Sequence, residues 1–134
     1  MKTMFVLISH PMTEEQKSDA RTRYGVERFV RLETDVWSAI PADADSVLPY
    51  VRPLFARLER EAKEGDLLFV QGDFGATFAM VQFAYGRGML PVYATTERDA
   101  VEKVDGERVI TTRVFRHVRF RAYERLAPNE GGSS

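Results

Sequence analysis

The chain has 134 residues, 44% of them hydrophobic and 29% charged, which predicts one globular domain with a sizeable core. It has no cysteine and two histidines without His-x-x-x-His spacing, so disulfides, a metal site and other cofactors are not expected. The net charge of −1 argues against general binding to long nucleic acids, and the short apolar run near the N-terminus predicts neither a signal peptide nor a membrane span. A cytoplasmic protein is therefore expected.

Strand and helix patterns alternate along the first two thirds of the chain. Runs that are apolar on both parities are typical of strands covered on both faces of a parallel sheet, and the segments between them have helical periodicity. The alternation predicts a parallel sheet with helices on both faces, since right-handed crossovers place them there. The predicted elements are a central first strand at 5–8, a helix from 13 to about 24, a strand at 28–32, a loop at 33–46, a helix from about 51 to Gly65, a strand at 67–70, a helix at 78–85 and a strand at 90–94.

Local signals add detail to these elements. Thr13 followed by Gln16 predicts a capping box at the start of the first helix, and the charged side chains of that helix, Asp19 among them, are assigned to its outer face. Trp37 is predicted to be the one packed aromatic residue of the following loop. The third helix is apolar nearly all the way round and needs cover on two sides, so a second copy of the chain is expected to provide part of that cover.

The last third of the chain departs from the parallel pattern. Asp105-Gly106 is a strong signal for a two-residue hairpin turn between strands at 100–104 and 107–114, which predicts an antiparallel pair added to the sheet. We expect a single domain over residues 1–126 and a disordered tail over residues 127–134.

A glycine-containing turn, Gln71-Gly72-Asp73-Phe74-Gly75-Ala76-Thr77, joins the third strand to the third helix. Its glycines permit a sharp turn and a close approach of a ligand to the main chain. The first amides of the following helix favour a phosphate or another anion. The turn has neither the G-x-G-x-x-G pattern nor the Gly-Lys-Ser/Thr of a P-loop, and a plain turn that binds no ligand is the alternative.

Polar residues follow three of the predicted strands. In open α/β sheets the carboxyl ends of parallel strands form one rim where ligands bind, so these residues are expected to converge there. His10 is the first candidate for a general acid or base. The alternative is that these side chains only cap helices, shape turns or pair with each other. The rim residues are Ser9, His10, Gln71, Gly72, Asp73, Thr95, Thr96, Glu97 and Arg98.

The segment from Phe115 to Arg121 alternates if it is extended. His117, Arg119 and Arg121 would then share one face, while Val118 and Phe120 would point to the core. Guanidinium groups match phosphate oxygens in geometry, so this face indicates a ligand with several phosphates. A solvated sheet edge, with arginines that block aggregation, is the alternative.

Five blocks of residues, in order between positions 5 and 123, resemble the small CRISPR-associated proteins of the Csx-twenty family. The blocks are Leu7-Ile8-Ser9-His10, Thr13-Glu14-Glu15-Gln16, Gln71-Gly72-Asp73-Phe74-Gly75-Ala76-Thr77, Thr95-Thr96-Glu97-Arg98 and Phe115-Arg116-His117-Val118-Arg119-Phe120-Arg121. The resemblance implies a Rossmann-like (CARF-like) α/β domain that forms a homodimer and accompanies type III CRISPR antiviral defence. With the patterns above, the expected fold is a mostly parallel sheet with helices on both faces and a C-terminal antiparallel hairpin.

The resemblance also implies a ligand and an activity. Proteins of this group are expected to bind cyclic tetra-adenylate and, as ring nucleases, to cleave it. In the mechanism expected here, the ribose 2′-hydroxyl attacks the adjacent phosphate without a metal or a protein nucleophile. The residue roles rest on chemistry and position. The catalytic candidates are His10, Ser9 and His117, and the ligand-binding candidates are Gln71, Gly72, Asp73, Phe74, Gly75, Thr77, Thr95, Thr96, Arg98 and Arg119.

Two other functions fit the sequence. A protein that binds or sequesters the cyclic oligoadenylate without cleaving it would have the same rim. A phosphocarrier that forms a phosphohistidine at His10 is similar to the mannose-type enzyme IIA domains of the sugar phosphotransferase system. Those domains have Gly-Gly-Ser/Thr-Pro after their acidic residue, and the sequence that follows Asp73 departs from that pattern.

Overall fold

The structure is a computed structural model that describes residues 1–32 and 35–126. The predicted tail at 127–134 lies outside the described residues, as do positions 33 and 34 of the predicted loop. Within the described part of the chain, no helix is long and apolar enough to span a membrane. The elements are β1 (Lys2–Leu7), α1 (Glu14–Tyr24), β2 (Val26–Arg31), a short 3₁₀ turn (Trp37–Ala39), α2 (Leu48–Glu61), β3 (Leu67–Val70), α3 (Phe74–Gly86), β4 (Leu90–Asp105) and β5 (Arg108–Ala122).

The five strands form one mixed sheet in the order β2-β1-β3-β4-β5. The pairs β1 with β2, β1 with β3, and β3 with β4 are parallel, while β5 is antiparallel to β4. This confirms the predicted α/β class and the antiparallel C-terminal pairing. β1 is an interior strand as predicted, but the middle strand is β3.

Both faces of the sheet are covered by helices. On one face, α2 and α3 pack over Phe5, Leu7 and Leu68, all of which are fully buried. On the other face, α1 packs over Val6 and Phe69. Side chains of successive strand residues point to opposite faces, so the uninterrupted apolar runs of β1 and β3 supply both cores.

The last two strands form a long ribbon. β4 runs without a break from Leu90 to Asp105, so the predicted end at residue 94 and the separate strand at 100–104 are wrong. Asp105 pairs with Arg108, which makes Gly106 and Glu107 the central turn residues, one position later than predicted. Gly106 has φ of 65° and Glu107 has no positive φ, as in a type II′ hairpin turn. Residues Leu90 to Val92 of β4 pair with β3. Beyond them, the ribbon consists of the two strands β4 and β5.

A β-bulge changes which way the side chains of β5 point. Thr95 pairs with Arg119 and Thr96 pairs with His117, so Val118 is an extra residue in β5. As a result His117 and Phe120 lie on the same side, with ring centroids 5.0 Å apart. The prediction that His117 shares a face with the arginines was therefore wrong. Phe120 is buried as predicted, but Val118 is 46% exposed instead of lying in the core.

Helix α3 begins at Phe74, four residues earlier than predicted, with Asp73 as its N-cap. Phe74 and Phe78 are 94% and 64% exposed, and Phe83 stacks on Phe55 of α2 with ring centroids 4.4 Å apart. The chain therefore covers α3 with the sheet and α2, and one apolar stripe of this helix remains open.

Candidate functional site

A cleft of about 660 Å³ lies at the carboxyl ends of the parallel strands, between the N-terminus of α1 and the β4–β5 ribbon. It brings together four of the predicted rim and site residues. The residues that line it are His10, Thr13, Glu14, Glu15, Gln16, Gln71, Ala94, Thr96, Asp99, Val114, Phe115, Arg116 and His117. A smaller pocket of about 330 Å³ is lined by Ser9, Trp37, Ser38, Ile40, Gly72 and Asp73. The predicted rim residues therefore do not converge on one site: His10, Gln71 and Thr96 line the cleft, Ser9, Gly72 and Asp73 line the smaller pocket, and Thr95, Glu97 and Arg98 line neither.

His10 is exposed in the loop that connects β1 to α1. Its Nδ1 lies 3.0 Å from the carbonyl oxygen of Pro11, which can only accept, so Nδ1 carries the hydrogen and Nε2 keeps a free lone pair when the ring is neutral. Arg31, at the end of β2, donates to the carbonyl oxygens of His10 at 2.9 Å and of Ile8 at 3.2 Å. Arg31 was not among the predicted site residues, and it fixes the loop that presents His10 to the cleft.

His117 has a different environment, because only 5% of its side chain is exposed. Its Nε2 lies 2.9 Å from Oδ2 of Asp19 on α1. Its Nδ1 is buried and has no hydrogen-bond partner among the described residues. His117 lines the cleft, but a ligand can reach its Nδ1 only if neighbouring groups move. His10 is therefore the histidine that is open to a ligand in this conformation.

Asp19 is the main difference between the predicted and the observed site. It was assigned to the outer face of α1, but its carboxylate accepts hydrogen bonds from His117, from the Phe120 amide at 2.9 Å and from Nε of Arg23 at 3.0 Å. Burial raises the pKa of this carboxyl, but the three hydrogen bonds outweigh burial and hold the pKa below its ordinary value of 3.8.

The lowered pKa of Asp19 predicts that the free energy of unfolding depends on pH in the acid range. A carboxyl whose pKa is lower in the folded than in the unfolded state stabilises the fold above the unfolded value of 3.8, and this contribution is lost as the pH falls through the folded pKa. In urea unfolding measured from neutral pH downward, we expect wild type to lose its advantage over Asp19→Asn below about pH 4. Glu14→Gln is the control, because that carboxylate is 86% exposed and its variant should differ little from wild type at any pH. A constant difference between wild type and Asp19→Asn down to the acid limit contradicts this prediction.

The turn from β3 to α3 packs against Trp37. Trp37 is buried, and its Nε1 donates to the carbonyl oxygen of Gln71 at 2.8 Å, which confirms the predicted packed aromatic residue. Neither Gly72 nor Gly75 has a positive φ. Asp73 Oδ1 accepts from the Ala76 amide at 2.9 Å, so this amide of the helix terminus already has an anionic partner.

Gly72→Ala is expected to lower the free energy of unfolding by about 1–3 kcal/mol, the usual cost of overpacking. A Cβ at Gly72 would lie 2.5 Å from Nε1 and 2.7 Å from Cε2 of Trp37, so the indole must shift. Trp37 is the single tryptophan of the chain, and its emission spectrum should change with the unfolding midpoint. Gly75→Ala is the matched control, since its Cβ would meet nothing closer than 3.6 Å and alanine favours a helix. Equal losses of stability in both variants contradict the steric explanation.

The predicted row of arginines does not assemble in the cleft. Nε of Arg119 donates to the carbonyl oxygen of Phe120, and Arg121 donates to the hydroxyl of Tyr93. Arg98 lies over the ring of Phe115, 5.3 Å from its centroid. Thr95 is also turned away from the cleft lining, with its hydroxyl donating to the Arg119 carbonyl oxygen at 3.0 Å.

Arg116 is the arginine that lines the cleft. Its guanidinium pairs with Glu97 at 3.0 Å and with Asp99 at 3.7 Å. Arg116 belongs to the last of the five resemblance blocks but was not among the predicted site residues, because the bulge that redirects this part of β5 has no signal in composition. Arg116 therefore replaces Arg98 and Arg119 as the cation closest to the candidate site.

The remaining predicted residues are spread around the rim. Gln71 lines the cleft, but its Oε1 accepts from the Ala94 amide at 2.6 Å and ties β3 to β4. Phe74 is exposed on α3, and Thr77 Oγ1 is buried without a hydrogen-bond partner among the described residues. Within residues 1–32 and 35–126, no group of three or more His, Asp or Glu side chains is arranged to hold a metal ion.

The fold and the cleft define an α/β protein with a mixed five-stranded sheet and a cleft at the carboxyl ends of β1 and β3 that is lined by polar and apolar groups. A family model described as "Uncharacterized protein MJ1673 family" matches residues 2–121, and the chain belongs to this family. The chain is 42% identical over 126 residues to "Uncharacterized protein MJ1673" of Methanocaldococcus jannaschii, which covers 92% of this chain and 98% of that protein. No solved structure matches the chain significantly.

Proposed function

We propose that the protein is a cytoplasmic, metal-independent ring nuclease that binds cyclic tetra-adenylate and cleaves it, which would switch off type III CRISPR signalling. The proposal extends the α/β fold to a Rossmann-like, CARF-like domain. The observation that carries it is the cleft in which an exposed histidine, His10, shares one lining with Arg116, Gln71 and Thr96. The resemblance of five sequence blocks to the Csx-twenty family supplies the ligand class.

The proposed reaction needs one group that moves a proton and one that stabilises charge. The ribose 2′-oxygen forms a bond to the adjacent phosphorus, and the bond from phosphorus to the 5′-oxygen breaks. The proton of the 2′-hydroxyl goes to Nε2 of His10, and the leaving 5′-oxygen takes a proton from water. The products are linear adenylates with a 2′,3′-cyclic phosphate end. His10 suits this role because Pro11 holds the hydrogen of the neutral ring on Nδ1.

Three side chains that line the cleft would recognise the ligand. Arg116 would turn from Glu97 and Asp99 to a phosphate oxygen, since an exposed ion pair costs little to exchange. Thr96 and Gln71 would contact ribose or adenine. Glu14 and Glu15 line the cleft at the N-terminus of α1, so the phosphates are expected to lie on the side of Arg116 and away from that helix end. The third carboxylate of the lining, Asp99, is already an ion-pair partner of Arg116.

A homodimer is part of the proposal. Helix α3 has no charged residue between Phe74 and Gly86, and it exposes Phe74 and Phe78 to solvent. A second copy of the chain would cover this apolar stripe. A two-fold dimer would also match the approximate two-fold symmetry of a cyclic tetranucleotide, with each subunit supplying the same rim. Sedimentation of the purified chain as a monomer would contradict this step.

The function is tested by incubating the purified chain with cyclic tetra-adenylate in EDTA and separating the products by chromatography and mass spectrometry. Linear adenylates that end in a 2′,3′-cyclic phosphate are the expected result. Linear tetra-adenylate and cyclic hexa-adenylate are the controls for ring recognition and ring size. Intact ligand that is retained by stoichiometric protein would indicate a non-catalytic binding protein. Intact ligand without binding would refute both functions.

A further inference from the structure

We infer that Asp19 is a positioning residue: it fastens the edge strand β5 to α1 and holds the His117 hydrogen on Nε2, leaving Nδ1 as an acceptor. The inference rests on the proposed function only for the identity of the ligand. The contacts of the Asp19 carboxylate with His117 and with the Phe120 amide do not depend on a ligand, so they can be tested in the free protein.

One carboxylate oxygen of Asp19 contacts two groups of β5. Asp19 Oδ2 accepts from the Phe120 amide and lies within hydrogen-bond distance of His117 Nε2, both at 2.9 Å. β5 is an edge strand, so an amide of Phe120 that points away from β4 has no strand partner on that side. The carboxylate on α1 supplies the missing acceptor. The two donors flank the bulge at Val118, where the ladder between β4 and β5 is interrupted.

The contact with Asp19 decides which ring nitrogen of His117 carries the hydrogen. A carboxylate can only accept, so its contact with Nε2 places the hydrogen on Nε2 when the ring is neutral. Nδ1 then keeps a lone pair. In the described residues this nitrogen is buried and without a hydrogen-bond partner, and leaving such a group unpaired costs about 1–3 kcal/mol. A donor from a ligand in the adjoining cleft would remove that cost.

The lone pair on Nδ1 decides which groups of a ligand His117 can bind. A neutral ring with a lone pair on Nδ1 repels a phosphate oxygen but accepts from a hydroxyl or an amino group. In a cyclic oligoadenylate the ribose 2′-hydroxyl and the adenine amino group are such donors. With a neutral ring, and once the neighbours of the buried Nδ1 move to admit the ligand, His117 is assigned to the sugar or base, while Arg116 is assigned to the phosphates. Asp19 acts through His117 and does not touch the ligand.

The test is nuclear magnetic resonance of the full chain labelled with ¹⁵N. In wild type we expect a slowly exchanging proton on Nε2 of His117 and a protected Phe120 amide. Asp19→Ala should accelerate exchange at both sites tenfold or more, while buried amides of β1 and β3 keep their protection. Asp19→Asn retains an acceptor oxygen and should restore part of the protection. Glu15→Ala, on the same helix and also lining the cleft, is the matched control and should leave both sites unchanged.

Two outcomes overturn the inference in the free protein. One is a wild-type His117 with its hydrogen on Nδ1, a result that needs no variant to fold. The other is a folded Asp19→Ala that keeps both protected protons. With cyclic tetra-adenylate as the probe, an upfield shift of the Nδ1 resonance is expected, and an unchanged Nδ1 in the bound protein refutes the ligand contact. If the probe does not bind at all, the proposed function and the ligand contact fail together, while the exchange data still decide the role of Asp19.

Discussion

His10→Gln is expected to lower the rate of cyclic tetra-adenylate cleavage by about 100- to 10,000-fold, the usual contribution of a general acid or base. His10 is the exposed histidine of the cleft, and its Nε2 has the free lone pair that takes the proton of the 2′-hydroxyl. The side chain makes its hydrogen bond to the neighbouring Pro11 carbonyl oxygen, so the substitution should leave the unfolding midpoint nearly unchanged. Single-turnover cleavage measured beside ligand affinity separates lost chemistry from lost binding.

His117→Gln is the matched variant for this experiment. The amide nitrogen of glutamine can occupy the position of the histidine Nε2 and donate to Asp19, so the ribbon should stay attached to α1. We expect a smaller loss of rate than in His10→Gln, accompanied by weaker binding. If the two variants lose rate equally with unchanged affinity, His117 also takes part in proton transfer, and the neighbours of its buried Nδ1 must move during the reaction.

Much of the fold could be predicted because the decisive signals are local. Apolar runs identified β1 and β3, the Thr13 and Gln16 pair marked the start of α1, and its capping box is present as predicted. The continuity of β4 was missed because the polar residues after Ala94 were interpreted as the end of a strand. They are the solvated start of a ribbon, which has little core to bury and therefore little apolar periodicity.

The candidate site was predicted where topology decides it and missed where long-range contacts decide it. The carboxyl ends of β1 and β3 meet beside the point where β4 continues past β3 into the ribbon, which placed His10, Gln71 and Thr96 in one cleft. The hydrogen bond from His117 to Asp19 joins positions 98 residues apart. A bulge of one residue determines that contact, and no periodicity in a single sequence reveals on which side of a bulge a histidine will lie.

The same bulge governs the second prediction, for Phe120→Ala, which is expected to lower the free energy of unfolding by about 3–5 kcal/mol. Phe120 is fully buried, it meets Phe69 of β3 edge to face at 4.8 Å, and its amide is held by Asp19. Its removal would leave a cavity between the sheet and α1 that the fixed backbone cannot close. Denaturant unfolding, followed by the fluorescence of Trp37 in the other core, would measure the loss for the whole domain.

Val118→Ala is the control that makes this prediction specific to the observed register. Val118 is the extra residue of the bulge and is 46% exposed, so its truncation should change the free energy of unfolding by no more than about 0.5 kcal/mol. Simple alternation would place Val118 and Phe120 in the core together, with comparable losses for the two variants. A large loss at Val118 would therefore mean that β5 pairs without the bulge. His117 would then face away from Asp19, and the positioning role inferred for that carboxylate would not hold.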